Sequence, residues 1–240
     1  MKHGVEELFD VVYRYYPRGV PYEDLGRVQT EEERRLVDAR RRAGADCERW
    51  LGMLRRLREQ FPENQVDNFS VHLAMGSHDG CYSGSLYLPK ATGEHRHAIE
   101  LRVSFLVPYY IVYSSRLVDD LEGIESKKSL HVTPPRAVTI FVHDTAYILP
   151  AWVGKLIKLV KPELVEPPSM EDKPTRQVIS FELSPDEQPY AAGIAQEIEA
   201  TWGYERMPPE VGNVVVPDVA TNLRRLGEAR LYDCLFSDAW

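Results

Sequence analysis

The sequence predicts an α+β fold: a mostly antiparallel sheet, built as a meander and packed by a long N-terminal helix and several short helices. Two observations carry this. Between Asp67 and Arg116, apolar and polar residues alternate with period two, as in Phe69, Val71, Leu73 and Met75, then Leu86 and Leu88, then Ile99, Leu101, Val103 and Phe105. On either side of that stretch the apolar residues recur instead at intervals of three and four, which is the helical period.

The spacing of Leu8, Phe9, Val12, Tyr13 and Tyr16 predicts a first helix from Val5 to Tyr16, stopped by Pro17 and Gly19. Its aromatic and basic end, Tyr15 to Gly19, suits packing better than base stacking, because no basic stripe follows it. Thr30 followed by Glu31, Glu32 and Glu33 is a capping box that opens a long helix to about Gln60. Ala43, Cys47, Trp50, Leu54, Leu57 and Phe61 form one narrow face of it, suited to the chain's own sheet or to a helix-mediated scaffold. Its arginines are interleaved with acids and so read as a solvated, partly paired face.

Within the meander, the segment from Gly76 to Cys81 reads as a turn, and Pro108 marks a bend before a strand at Tyr109 to Tyr113. Asp119 to Lys128 reads as a loop, Ala137 to His143 as a strand, and Trp152 to Val160 as a short amphipathic helix. The proline- and charge-rich stretch 162–175 is a candidate internal linker within a single domain spanning 1–240, and the residues C-terminal to it extend the main sheet. That extension holds a strand at Val178 to Leu183 and a helix from Pro185 to Trp202 ended by Gly203. Beyond lie a short strand at Val214 to Val216, a helix begun by Pro217 and Asp218 and closed by Gly227, and a last strand at Arg230 to Phe236.

Of the 240 residues, 43% are hydrophobic and 28% charged, the balance of a globular chain with a sizeable core. Three well-separated cysteines suit reduced thiols better than a disulfide framework or a zinc site. With no apolar leader and no membrane-length uncharged run, a cytoplasmic protein that does not bind membranes is expected. The charge is uneven. Residues 1–60 hold 13 Lys+Arg against 12 Asp+Glu, residues 61–160 hold 9 against 10, and residues 161–240 hold 7 against 15. Such an acidic last third repels nucleic acid and attracts basic partners.

Catalytic patterns are sparse. Cys81-Tyr82-Ser83-Gly84 lacks the leading glycine and the strand-to-helix context of a nucleophile elbow. Cys81 with His78 or His72 is the candidate thiol and base pair of a small hydrolase or transferase, against the plainer reading of Cys81 as a small buried hydrophobe. His95 and His97 have no further metal ligands near them, so no metal and no cofactor are expected. The Walker A, Rossmann, zincin and kinase signatures are absent.

Trp202-Gly203-Tyr204, Val216-Pro217-Asp218-Val219 and Tyr232 to Trp240, together with Tyr15 to Gly19, resemble segments of bacterial immunity proteins of polymorphic toxin systems. The resemblance implies an acidic, cytosolic α+β protein that binds a cognate, often basic toxin and blocks it. The charge pattern then nominates the partner-binding residues as Glu197, Glu199, Glu205, Glu210, Asp218, Asp233 and Asp238 around the aromatic anchors Trp202, Tyr204, Tyr232 and Trp240.

Overall fold

The computed structural model describes residues 4–21, 24, 30–70, 79–89, 96–119, 137–142, 145–150 and 175–237. The chain divides into two compact units, Met1–Val118 with Gln177–Trp240, and Asp119–Arg176. In the smaller unit, β5 (Ala137–Val142) and β6 (Thr145–Pro150) pair as an antiparallel hairpin, with Val142 opposite Thr145 at its turn. The predicted helix at Trp152 to Val160 and most of the candidate linker fall outside the described residues.

The larger unit is α+β, with a six-stranded, mostly antiparallel sheet. The strand order runs β1 (Val66–Asn68), β2 (Cys81–Tyr87), β3 (His97–Ser104), β4 (Tyr109–Asp119), β7 (Thr175–Ser180), and β8 (Glu205–Arg206) pairs in parallel with the start of β4. The alternation predicted for Ile99, Leu101 and Val103 holds, since all three are fully buried on one face. β1 ends at Asn68, before the run predicted as a strand from Phe69; Phe69 itself is exposed, and 71–78 fall outside the described residues.

Period two gives the sheet two different faces, and helices cover both. On one, Cys81, Tyr109, Ile111 and Tyr113 pack under α1 (Val5–Tyr15) and the C-terminal segment. On the other, Tyr82, Leu86, Ile99, Leu101, Val103, Tyr110 and Val112 pack under α3 (Glu48–Gln60) and α4 (Gln188–Trp202). The two helices cross closely. A Cβ at Gly193 of α4 would come within 2.6 Å of the Phe61 ring, so the crossing requires glycine there.

The single long helix expected from Glu31 to Gln60 is two helices, α2 (Glu31–Ala45) and α3. Its start is as predicted: Thr30 accepts from the Glu33 N–H at 3.2 Å, and the Glu33 carboxylate accepts from the Thr30 N–H at 2.9 Å. At Asp46 and Cys47 the backbone leaves the helical path, with Asp46 at φ −104° and ψ 38°. Tyr82 explains why the break is tolerated, because its hydroxyl donates to the carbonyl of Ala43 at 2.8 Å and thereby satisfies an orphaned helix end. The bend lets Leu36 serve the core beneath α1 while Trp50, Leu54 and Leu57 serve the core on the opposite face. The apolar stripe is thus divided between the two cores of this chain.

Two further expectations are corrected near the C-terminus. Residues 217–228 form turns, where a helix was predicted: the Asp218 carbonyl accepts from the Gly19 N–H at 2.7 Å, and Leu223 and Leu226 are exposed. Arg230 to Phe236 contains a short helix where a strand was predicted. After α5 (Pro209–Gly212), α6 (Leu231–Leu235) is started by the Asp233 carboxylate, which accepts from the Arg230 N–H at 2.8 Å. Both parities of that segment are apolar and buried, so alternation did not discriminate. Of the predicted strand at Val214 to Val216, one bridge between Val215 and Arg230 is present. No helix among the described residues is long and apolar enough to cross a membrane.

Candidate functional site

The C-terminal end of α4 assembles the largest group of the nominated residues. Gly203 ends the helix in the left-handed conformation, φ 67°, with its N–H on the Glu199 carbonyl at 2.8 Å, as the sequence predicted. Trp202 turns inward from the last turn and meets Trp50 and Tyr82, each with ring centroids 6.4 Å away, and Tyr204 at 6.2 Å. Phe105 extends the cluster edge-on to Tyr82 at 5.9 Å. Trp50 and Tyr82 form a buried floor, with the Trp50 Nε1–H donating to Asn68 at 2.8 Å. Phe105, Trp202 and Tyr204 are half-buried and form the rim.

Carboxylates stand beside these rings. Glu199, three residues before Trp202 and so on the same side of the helix, is exposed and accepts the Tyr110 hydroxyl at 2.6 Å. Burial, then the adjoining Glu199 carboxylate, pushes the Tyr110 hydroxyl well above its usual pKa, so the hydroxyl stays protonated as the donor. That donor is neutral, so the hydrogen bond does not cancel the charge of the carboxylate. Glu205, in β8, is half-buried and in register with Tyr109, which places it on the α1 face of the sheet, away from the rim. Glu197 is spent differently, in an ion pair with Arg56 at 2.7 Å. The charge of Arg49 on α3 opposes the effect of burial on the Tyr204 hydroxyl, whose pKa burial raises.

The remaining nominated residues lie elsewhere. Asp218 pairs with Arg18 at 2.5 Å, while Arg18 stacks over the Tyr13 ring at 4.4 Å; this joins two segments that the immunity-protein resemblance had paired only in sequence. Tyr232 and Asp233 are interior. Tyr232 stacks on Phe181 at 5.1 Å, and Asp233 pairs with Arg224 at 3.3 Å and Arg230 at 3.1 Å. Glu210 is exposed on α5, and Asp238 and Trp240 lie outside the described residues.

Cys81, the nucleophile of the rival reading, is fully buried, and burial pushes its thiol up to about 12 against the pull of Arg102. A thiol so buried is protonated and inert at neutral pH. His72 and His78 fall outside the described residues. Around Cys81 runs a polar row on the α1 face of the sheet that sequence reasoning passed over. Ser85 donates to Glu100 at 2.6 Å, and the Arg102 Nε–H donates to the Tyr113 hydroxyl at 2.9 Å. Burial raises the Glu100 carboxyl above its ordinary value despite the Ser85 hydrogen bond.

Glu187 was also missed from the sequence. Its Oε1 lies 2.6 Å from His97 Nε2 and accepts from Ser114 Oγ at 2.6 Å and Arg116 at 2.8 Å, while Oε2 accepts from the Ser184 N–H at 2.6 Å. Serine, histidine and acid are all present, yet serine and histidine meet on the same carboxylate oxygen. The imidazole therefore does not stand between acid and nucleophile, as proton abstraction would need. The cluster fastens the start of α4 to β3 and β4. Burial alone would push Glu187 up, but hydrogen bonds from Arg116, Ser114 and Ser184 hold it far below the usual carboxylate range. Its signal, a glutamate at the mouth of a helix three residues after a serine, was visible as a cap and not as a hub.

Among the described residues no group of three or more His, Cys, Asp or Glu is placed to hold a metal ion. The chain matches no family model, no curated protein and no solved structure.

Proposed function

We propose that this chain is a cytosolic binding protein that neutralises a cognate, basic protein toxin by direct complex formation. The observation that carries the reading is the half-buried aromatic rim of Phe105, Trp202 and Tyr204 on a buried floor, with Glu199 beside it. Partly exposed Trp and Tyr on a fixed support are the residues that anchor protein interfaces, and a neighbouring carboxylate adds preference for a basic partner. The resemblance of the terminal segments to immunity proteins supports the same reading. The thiol alternative is disfavoured by the burial of Cys81.

The test is co-expression with the product of the adjacent open reading frame. The reading expects that product to be toxic alone, growth to be restored by this chain, and the two proteins to co-purify. Restored growth by a Cys81→Ala variant is expected as well; loss of rescue in a Cys81→Ala protein that still folds would favour the enzyme instead.

A further inference from the structure

We infer that β5 is a self-association edge, to which a second copy of this chain adds its own β5 in antiparallel pairing about a two-fold axis at Thr139. Among the described residues the hairpin of β5 and β6 is a two-stranded sheet, so each strand has one edge without a neighbouring strand. Two strands alone are only marginally stable in water, and an open edge presents backbone donors and acceptors to any strand that fits. The register decides which groups face outward. Only two residues separate Val142 from Thr145, so that opposed pair exchanges both of its hydrogen bonds, and the pairs Ile140 with Tyr147 and Val138 with Leu149 do likewise. The backbone groups of Ala137, Thr139 and Phe141 therefore point away from β6, and those of Ala146, Ile148 and Pro150 point away from β5.

The two edges differ. On β6 the outward position at Pro150 has no N–H, so two β6 edges paired about Ile148 would lose a hydrogen bond at each end. On β5 the outward residues are spaced symmetrically about Thr139: Ala137 falls opposite Phe141 of the second copy, Thr139 falls opposite Thr139, and every donor meets an acceptor. The usual guards of an edge strand are also missing from β5. It carries no charged residue and no proline, and its register with β6 runs one to one without a bulge. In the larger sheet, by contrast, the edge strand β1 is three residues long and its Val66 carbonyl is already taken by Arg58 at 2.9 Å. An uncharged edge gives a basic partner no electrostatic preference, whereas the symmetry of its outward groups suits its own copy.

The experiment is sedimentation velocity of the full chain over a concentration series, with circular dichroism to check that each variant folds. The wild type is expected to dimerise. Thr139→Pro removes an outward N–H while leaving the bonds to β6 in place, and should weaken dimerisation about tenfold or more. Thr139→Lys sets two like charges opposite each other and should do the same, which keeps the test decisive if the proline variant fails to fold. Ile148→Pro, the same change on the outward edge of β6, should leave the dimer as it is. A wild type monomeric up to about 100 µM, a dimer unmoved by either Thr139 variant, or an equal loss in Ile148→Pro would each overturn the inference. A monomeric wild type whose complex with the product of the adjacent open reading frame weakens in Thr139→Pro would assign the edge to that partner, and would overturn self-pairing as well.

Discussion

The end of α4 and the segment 213–237 look alike in sequence, each pairing acids with large aromatics, yet the fold uses them in opposite ways. At α4, Trp202 and Tyr204 lie half-exposed over a floor already completed by Trp50 and Tyr82, and Glu199 beside them is left at the surface. In the later segment Tyr232 and Phe236 are themselves the core, and the acids are turned to internal work: Asp233 caps α6 and neutralises two arginines, while Asp218 ties the tail to Arg18. An acid beside an aromatic marks a contact surface only where the core can be closed without them. The first region should therefore answer to mutation in binding, and the second in stability.

The contrast should be sharpest at Tyr232. Tyr232→Ala removes a ring stacked on Phe181 and edge-on to Phe236 and should cost about 3–5 kcal/mol in denaturant unfolding, with the partner affinity of the folded fraction unchanged. Asp233→Ala should follow at about 2–4 kcal/mol, because it strips a cap and leaves Arg224 and Arg230 facing each other. At the other end, Trp202→Leu should lose about 2 kcal/mol or more in partner affinity while stability falls by only about 1 kcal/mol. Smallest is Arg18→Gln, whose guanidinium is largely exposed; the variant should differ little from wild type in unfolding, and less still at high salt.

Acid should separate the internal carboxylates as well. Glu187 is held below its ordinary 4.5, so it contributes stability above that pH and loses it as the pH falls below. Glu100 is raised above 4.5, so its charge costs stability at neutral pH, and that cost is relieved on acidification. Thermal unfolding followed across pH should therefore show a flattened acid limb for Glu187→Gln and a higher neutral Tm for Glu100→Gln.

What was legible in the sequence was whatever local chemistry decides. The Thr30–Glu33 box, the Gly203 stop and the alternation of β3 need only their own neighbours, and each stands where it was read. The break at Asp46 was hidden because the Tyr82 hydroxyl that accommodates it comes from a strand 36 residues later. The α6 segment misled because both of its parities are buried, which erases the period that distinguishes strand from helix. Of the nominated residues, Glu199, Trp202 and Tyr204 stand together because they are close in sequence at one helix end, whereas Glu205 follows the strand register onto the other face of the sheet. Phe105 and Arg49 joined them only through tertiary packing, and the burial of Tyr232 depends on partners such as Phe181, some 50 residues away, which composition does not register.

Docking of a basic protein partner on the end of α4 is tested most directly by titrating the purified product of the adjacent open reading frame against this chain and against its Glu199→Gln variant. The expected result is a tight, salt-sensitive complex that weakens about fivefold or more in the variant, with wild-type stability retained. A complex of unchanged affinity in the variant, or no complex with the wild-type chain, would contradict it.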